Sequence, residues 1–301
     1  MEKVHNSEDL AYFISLQSLG ASDDGAYSRE KWDRRAEHWQ RERVNHRKGD
    51  ERIVSAMTYL EQRGVLQKEY AVADIGCGPG RFAAAFAKRV HRVVGLDISE
   101  KMILHGREHI RKEGLENALL YPCDFQTLDI QKEGYEKAFD LVFGSMTPAV
   151  HDMEGLMKFM AMSRSWCCQI THLSGQNLLR DQIMREVFDQ APSGRWTGRW
   201  FYSLFNILFL LGYHPETSYE HHRRELLIRP DEEYVEFIME HMLPSEEITK
   251  ENGDKVMGWL LAHRDEEGFV REITDSSYAR ILWDVRDRRE RPDYRVGDRR
   301  V

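Results

Sequence analysis

The chain has 301 residues, of which 41% are hydrophobic and 31% charged, and its formal net charge is −8. This length suits one large domain, or a domain of roughly 200 residues with additions. The composition excludes a disordered chain. Proteins that grip DNA or RNA through its phosphates usually carry a basic surface, so the acidic charge disfavours a nucleic acid as partner.

The cysteines indicate a reducing compartment. Cys77, Cys123, Cys167 and Cys168 form no CxxC pair, and the last two are adjacent in an apolar run. This arrangement matches neither a disulfide framework nor a zinc site, and reduced thiols in a cytoplasmic protein are the simplest interpretation. The amino-terminal MEKVH lacks the apolar stretch of a signal peptide, which leads to the same expectation.

Residues 1–66 are predicted to be helical and to form a lid. Helices are expected from Ser7, from Ser28 to about Arg47, and from Glu51 to Arg63, where Gly64 suits a helix end. In the middle helix, Trp32 and Trp39 recur at helical spacing. The oligomeric state of the chain is left open, a homodimer included.

From Tyr70 onward short apolar runs alternate with helical segments, the pattern of βαβ units. The predicted strands are 70–76, 91–99, 118–125, 139–146 and 165–173, and the predicted helices between them are 81–90, 100–114 and 153–164. The fold class is therefore α/β, a doubly wound and mostly parallel sheet. Residues 67–285 are predicted to form this domain, counting seven strands in all.

The regular alternation stops after Ser174. A helical insertion is expected at about 176–263, with helices at 176–190, 231–242 and 246–263 and a strand candidate at 212–226. The apolar run 200–213, WFYSLFNILFLLGY, is too short to span a bilayer. We predict a buried or pocket-lining helix there and no membrane span. Residues 269–285 are interpreted as two strand-like runs around a polar turn, and 286–301 as a solvated charged tail.

The segment Asp74-Ile-Gly-Cys-Gly-Pro-Gly-Arg81 follows the first strand and opens a helix. Glycines at 76, 78 and 80 let the backbone approach a ligand, at the edge where open α/β sheets bind cofactors. The dinucleotide fingerprint is G-x-G-x-x-G, but its third glycine position is occupied here by Arg81. A bulky side chain would crowd a pyrophosphate, which disfavours an NAD(P)-dependent oxidoreductase. A P-loop is absent, because no G-K-[ST] follows.

Instead, the loop resembles motif I of the class I S-adenosylmethionine (SAM)-dependent methyltransferases. The next strand ends in Asp97, about 20 residues after the glycines, where a carboxylate accepts hydrogen bonds from ribose hydroxyls. The third strand ends in Asp124 and Phe125, and the fourth ends in Ser145. The resemblance covers about residues 70–174 and is loose elsewhere.

This resemblance implies a SAM site with assigned roles. Asp74 and the three glycines would hold the methionine part, and Asp97 the ribose. The predicted adenine contacts are Ile98, Met102, Asp124 and Phe125. Ser145 would border both SAM and substrate.

The acceptor side is predicted from the segments after strands four and five. Trp32, Thr147 and Trp200 are candidate pocket residues, with Trp39 and Trp196 as further aromatic lid candidates. His151 and His172 are candidate bases, because imidazole titrates near neutral pH. The implied reaction moves a methyl group to N, O, S or C of a small molecule. No metal is expected, since the adjacent His221 and His222 would point to opposite faces of a strand.

Several acceptor classes are disfavoured by the sequence. The segment GSMTPA after the fourth strand differs from the [DN]PP[YF] motif of enzymes that methylate base amino groups. Cytosine C5 methylation needs a loop cysteine, whereas Cys167 and Cys168 lie inside a predicted strand. A non-catalytic SAM-binding or protein-interaction module and a protein or RNA methyltransferase remain as alternatives.

Overall fold

The structure is a computed structural model, and it describes residues 6–18, 28–30, 32, 33, 36, 51–192 and 197–292. The helices of this part are α1 (Ser7–Ser18), α2 (Glu51–Gln62), α3 (Arg81–Ala87), α4 (Glu100–Lys112), α5 (Met153–Ala161), α6 (Leu178–Glu186), α7 (Arg199–Leu210), α8 (Glu232–Met242) and α9 (Lys250–Ala262). The strands are β1 (Ala71–Ile75), β2 (Arg92–Asp97), β3 (Ala118–Pro122), β4 (Phe139–Ser145), β5 (Ser163–Asn177), β6 (Glu216–Ile228) and β7 (Val270–Asp284).

The seven strands form one sheet in the order β3-β2-β1-β4-β5-β7-β6. β1 pairs in parallel with β2 and with β4, β2 with β3, and β4 with β5. The order reverses direction at β1, so the carboxyl ends of β1 and β4 meet at the switch point where α/β sheets bind ligands. The predicted doubly wound α/β fold is confirmed.

The chain divides into two compact units. The first comprises Met1–Thr171, Arg199–Ser218 and Arg280–Val301, and the second comprises His172–Gly198 and Tyr219–Ala279. The first unit has a large buried core, in which every residue of β1 is buried. The second has a separate core that includes Ile183, Ile238 and Leu260. Between residues 176 and 263 the structure has the helices α6 to α9 and the strand β6, which overlaps the strand candidate at 212–226. The role of this region as an insertion stays a prediction.

The apolar run 200–213 forms most of α7, which packs into the first core and against α1. The rings of Phe13 and Tyr202 meet edge to face, with centroids 5.4 Å apart. Arg291 lies over the ring of Phe209 at 4.1 Å and donates to the carbonyl oxygens of Phe209 and Tyr213. Residues 286–290 of the tail are exposed, whereas Arg291 is anchored, because its guanidinium satisfies carbonyls at the end of α7.

Candidate functional site

A cavity opens in the first unit at the carboxyl ends of β1, β2 and β4. Most of the residues predicted to hold SAM line it. These are Asp74, Gly76, Gly78, Asp97, Ile98, Met102, Asp124, Phe125 and Ser145. The remaining lining residues are Trp32, Arg52, Ile53, Cys77, Pro79, Arg81, Phe82, Leu96, Cys123, Gln126, Met146, Thr147, Pro148 and Ala149.

The glycine loop has left-handed backbone at all three glycines, with φ of +69° at Gly76, +52° at Gly78 and +70° at Gly80. A Cβ on Gly78 would meet nothing within 4 Å, so this glycine borders open space. A Cβ on Gly80 would come within 2.9 Å of Leu120. Gly80 is absent from the cavity lining, and its small size serves the packing of α3. Its contact with SAM stays a prediction.

Asp74 is the penultimate residue of β1, lines the cavity and is 1% exposed. Its Oδ2 is buried and has no hydrogen-bond partner among the described residues. Burial, with a smaller contribution from the nearby Asp97, raises the pKa of Asp74 to about 8. An unpaired buried carboxylate oxygen is costly. A cationic donor that enters the cavity would remove that cost.

Asp97 ends β2 and is held by the loops on either side of it. Its Oδ2 accepts from the backbone N–H of Gly78 at 2.8 Å, and its Oδ1 accepts from the N–H of Ser99 at 2.9 Å. Burial raises the pKa of Asp97, while these two hydrogen bonds oppose the increase. Since a carboxylate has about four acceptor positions, lone pairs remain for a ligand's hydroxyl groups.

The segment after β3 supplies a polar edge and an apolar face. Asp124 accepts from the N–H of Gln126 through Oδ1 at 2.9 Å. Phe125 is 4% exposed, and the ammonium of Lys158 lies 5.5 Å from its ring centre. Lys158 also donates to the carbonyl oxygens of Phe125 and Gln126. These bonds fix the loop that presents Asp124 to the cavity.

The segment after β4 forms another part of the wall. The hydroxyl of Ser145 is buried without a hydrogen-bond partner among the described residues. Met146 has a φ of +54°, which is uncommon outside glycine, and its N–H donates to Ile170 O at 2.9 Å. Thr147 Oγ1 accepts from the N–H of Ala149 at 3.1 Å. This short, constrained segment brings five successive residues, 145–149, to the cavity.

The amino-terminal part of the chain contributes residues that local patterns did not indicate. Arg52 and Ile53, from the first turn of α2, line the cavity together with the predicted Trp32. Beside Trp32, Asp33 accepts from the hydroxyl of Ser99 at 2.5 Å, and Ser99 caps α4 by accepting from Met102 N. Two further predicted lid residues, Trp39 and Trp196, lie outside the described residues.

Three other predicted site residues do not line the cavity. His151 contacts Gln126 through Nδ1 at 3.2 Å and Asp152 through Nε2 at 3.5 Å. Trp200 donates from Nε1 to Gln169 Oε1 at 3.1 Å inside the first core. His172 belongs to the second unit, where its Nδ1 lies 2.6 Å from Thr197 Oγ1. The roles assigned to these residues stay predictions.

The described residues contain no group of three or more His, Cys, Asp or Glu that could hold a metal ion. No helix in this part of the chain is long and apolar enough to cross a bilayer.

The residues present fit SAM as the cofactor. The unpaired Asp74 oxygen suits the methionine ammonium, and the space beside Gly78 admits the methionine part. The two oxygens of Asp97 lie at the end of β2, as a ribose requires, and the apolar Ile98 and Phe125 fit a purine ring. Arg81, which lines the cavity, occupies the third glycine position of the dinucleotide pattern, where its bulk would crowd a pyrophosphate.

Similar proteins match mainly in this region. Residues 72–165 match the family model described as a methyltransferase domain. The chain is 36% identical over 59 residues to 23S rRNA (uracil(1939)-C(5))-methyltransferase RlmD of Alcanivorax borkumensis, a match covering 20% of this chain and 13% of the relative. It is 35% identical over 97 residues to trans-aconitate 2-methyltransferase of Escherichia coli, which covers 32% of this chain and 34% of the relative.

A crystal structure of a proposed methyltransferase from Bacillus halodurans aligns with 77% of this chain and 99% of its own, at 16% identity and a TM-score of 0.47. The matched segments of the two curated relatives span about a third of their length or less. The family match, which spans β1 to the start of β5, confirms the predicted type of domain. Residues 72–165 are a methyltransferase domain of the class I, SAM-dependent kind, with SAM as the cofactor.

Proposed function

We propose that the whole chain transfers a methyl group from SAM to a small-molecule acceptor bound in the same cavity. The observation that carries this proposal is the wall next to the cofactor residues. Trp32, Ile53, Met146, Pro148 and Ala149 line it together with the glycine loop. An apolar wall that adjoins a cofactor site is typical of a small-molecule pocket.

In this proposal the residues take the cofactor roles that the resemblance implies. Asp74 Oδ2 accepts from the ammonium of SAM, and Asp97 accepts from the ribose hydroxyls. Asp124 accepts from the adenine amino group, whose ring lies between Ile98 and Phe125. Ser145, with its unpaired buried hydroxyl, stands between the cofactor residues and the acceptor wall.

When bound, SAM supplies an electrophilic methyl group on sulfur. The residues of the chain then align the acceptor atom with that methyl group and exclude water. These two effects account for much of the rate enhancement in such reactions. Trp32 and the wall after β4 exclude water. Gln126 lines the cavity and donates from Nε2 to Ala149 O at 2.6 Å, so it links the segments after β3 and β4.

His151 contacts Gln126, so in this scheme it acts through that side chain. If Gln126 Nε2 donates to Nδ1, the neutral ring carries its proton on Nε2, facing Asp152. Both ring nitrogens are then engaged. We expect His151 to orient Gln126, and an acceptor that must lose a proton would give it to solvent or to a base brought by the acceptor.

An RNA acceptor is the principal alternative, because the matched relatives include rRNA methyltransferases. Those matches cover only 13% and 17% of the relatives. The net charge of −8 weighs against a phosphate-rich partner. The trans-aconitate 2-methyltransferase match covers more of both chains and favours a small acceptor.

The deciding experiment follows the methyl group. The purified chain is incubated with methyl-labelled SAM and separate cell-extract fractions of metabolites, RNA and protein. We expect label only in the metabolite fraction. Label in RNA or protein would replace the small-molecule proposal. Binding of S-adenosylhomocysteine (SAH) without transfer to any fraction would favour the non-catalytic alternative, and Asp97→Ala serves as the inactive control.

A further inference from the structure

Thr147 occupies a position between the cofactor loop and the end of β4. A Cβ built on Gly76 would overlap the hydroxyl of Thr147 and lie 2.5 Å from its Cβ. On the other side, a Cβ on Gly144 would lie 3.2 Å from Thr147 Cγ2. One threonine side chain therefore fills the space that two glycines, one directly after β1 and one in β4, leave open.

The hydroxyl of Thr147 also organises its own segment. Its Oγ1 accepts from the N–H of Ala149 at 3.1 Å, a short-range turn of the kind that Ser and Thr favour. Its neighbour Met146 adopts a strained left-handed backbone conformation, which persists only where surrounding contacts hold it. Thr147 supplies such a contact one residue away.

From these contacts we infer that Thr147 is a positioning residue, which fixes the segment 145–149 against the cofactor loop. The corollary is that Gly76 is required chiefly because Thr147 packs on it, whereas Gly78 is required because its Cβ would enter the ligand's space. Gly76 and Gly78 both have positive φ, so backbone strain alone does not distinguish the effects of substituting them. The atoms that an added Cβ would meet are different at the two positions.

This inference rests on the proposed SAM site and concerns how its two walls are joined. Any displacement of the glycine loop would move Thr147, and with it the wall that meets the acceptor. The cofactor and acceptor walls are then one mechanical unit.

A double-mutant cycle tests the inference through SAH affinity, measured calorimetrically on the full chain. Gly76→Ala should weaken SAH binding about tenfold or more, because the added methyl group forces the two segments apart. Thr147→Gly alone should weaken it by no more than about threefold. The double variant should return to within about threefold of Thr147→Gly, because the overlapping atoms are gone.

Gly78→Ala is the matched control, with the same added methyl group and the same backbone strain. Thr147→Gly should not rescue it, since no side chain occupies the space beside Gly78. Additive effects of Gly76→Ala and Thr147→Gly on SAH affinity would overturn the inference. A wild-type chain that binds no SAH would instead overturn the proposed function.

Thermal unfolding and amide exchange complete the test. If Gly76→Ala unfolds the chain, recovery of Tm together with SAH affinity in the double variant supports the inference, and recovery of Tm alone contradicts it. Thr147→Val keeps the shape but removes the acceptor, so the Ala149 amide should exchange faster in the SAH-bound chain. In Thr147→Ser, which keeps the hydroxyl group, the Ala149 amide should be protected from exchange as in the wild type. Equal exchange of this amide in the wild type, Thr147→Val and Thr147→Ser would contradict the positioning role.

Discussion

Two parts of the cavity lining differ in how the chain builds them. The cofactor wall consists of the polar side chains at the ends of successive strands. The acceptor wall is assembled from α2, the segment around Trp32 and the residues after β4. Asp74, Asp97 and Asp124 come directly after or at the ends of β1, β2 and β3, separated by helices of ordinary length. Their spacing along the chain therefore reflects their spacing in the site. The acceptor wall has no such relation, and its residues are recognised only once the chain is folded.

The largest expected effect lies on the cofactor wall. Asp97→Ala removes the predicted bonds to two ribose hydroxyls and also releases the N–H groups of Gly78 and Ser99. We expect SAH affinity to fall by about 100-fold or more, since each hydrogen bond to a charged group contributes about 1.5–3 kcal/mol. Titration calorimetry measures this loss. Unchanged affinity in a folded variant would refute the ribose assignment.

The next effect is a pH dependence that belongs to Asp74. Its pKa of about 8 means that the ionised form needed by a ligand ammonium becomes scarce at lower pH. SAH affinity should rise from pH 6 to about pH 8, and then fall as the ligand's amino group loses its proton, whose ordinary pKa is about 7.7–8.0. Calorimetry across this range would show a bell-shaped profile.

Asp74→Asn sharpens that test. The variant should lose the rising limb and bind SAH about tenfold more weakly near pH 8, because the charge is gone while the side-chain volume is kept. The folded pKa of Asp74 is raised above its unfolded value of 3.8. Its ionisation therefore lowers the stability of the ligand-free chain progressively from about pH 4 to about pH 8. A variant with an unchanged pH profile would assign the ammonium to another group.

A smaller and more selective effect is expected on the acceptor wall. Trp32→Ala should lower methyl transfer to the labelled metabolite about tenfold through a less enclosed pocket, and change SAH affinity by less than about threefold. Initial-rate kinetics and calorimetry on the same preparation separate the two quantities. Equal losses in both would place Trp32 on the cofactor wall and weaken the distinction between the walls.

The smallest effect is expected at Trp200, which lies in the first core rather than at the cavity. Trp200→Phe removes one hydrogen bond, to Gln169, worth about 1 kcal/mol. Tm should fall by about 2–4 °C in a protein of this size class, with SAH affinity and acceptor kinetics unchanged. A raised acceptor KM would restore Trp200 as a pocket residue.

Local patterns predicted β1–β5 and the cofactor wall because apolar runs there end in glycine or acidic residues. They were wrong about β7, interpreted as two short runs but found as one strand, Val270–Asp284. Its central residues are polar and half-buried, so they lack the alternation that indicates a strand. Polar pairing with β6 compensates, since His221 contacts Asp275 and Ser277. Polar pairs of this kind join residues that are distant in the sequence, so local patterns do not indicate them.

The same limit applies to the site. The helix α2 was predicted from its composition, but nothing local indicated that Arg52 and Ile53 would reach a cavity formed by other segments. Gly80 carries a constraint that its place in the motif did not indicate, because a Cβ there would lie 2.9 Å from Leu120, while its contact with SAM stays a prediction. Motif spacing identifies a loop, whereas the role of each glycine in it depends on the residues that surround it in the folded chain.

The hydrogen bond from Gly78 N–H to Asp97 Oδ2 has a consequence for evolution. The carboxylate to which we assign the ribose also holds the loop to which we assign the methionine part of SAM. A substitution that altered nucleoside preference would therefore loosen the loop at the same time, and a second change would have to restore it. Single-step drift toward another cofactor is thereby hindered, while Trp32 and the first turn of α2, which lie on other segments of the cavity lining, are free to diversify.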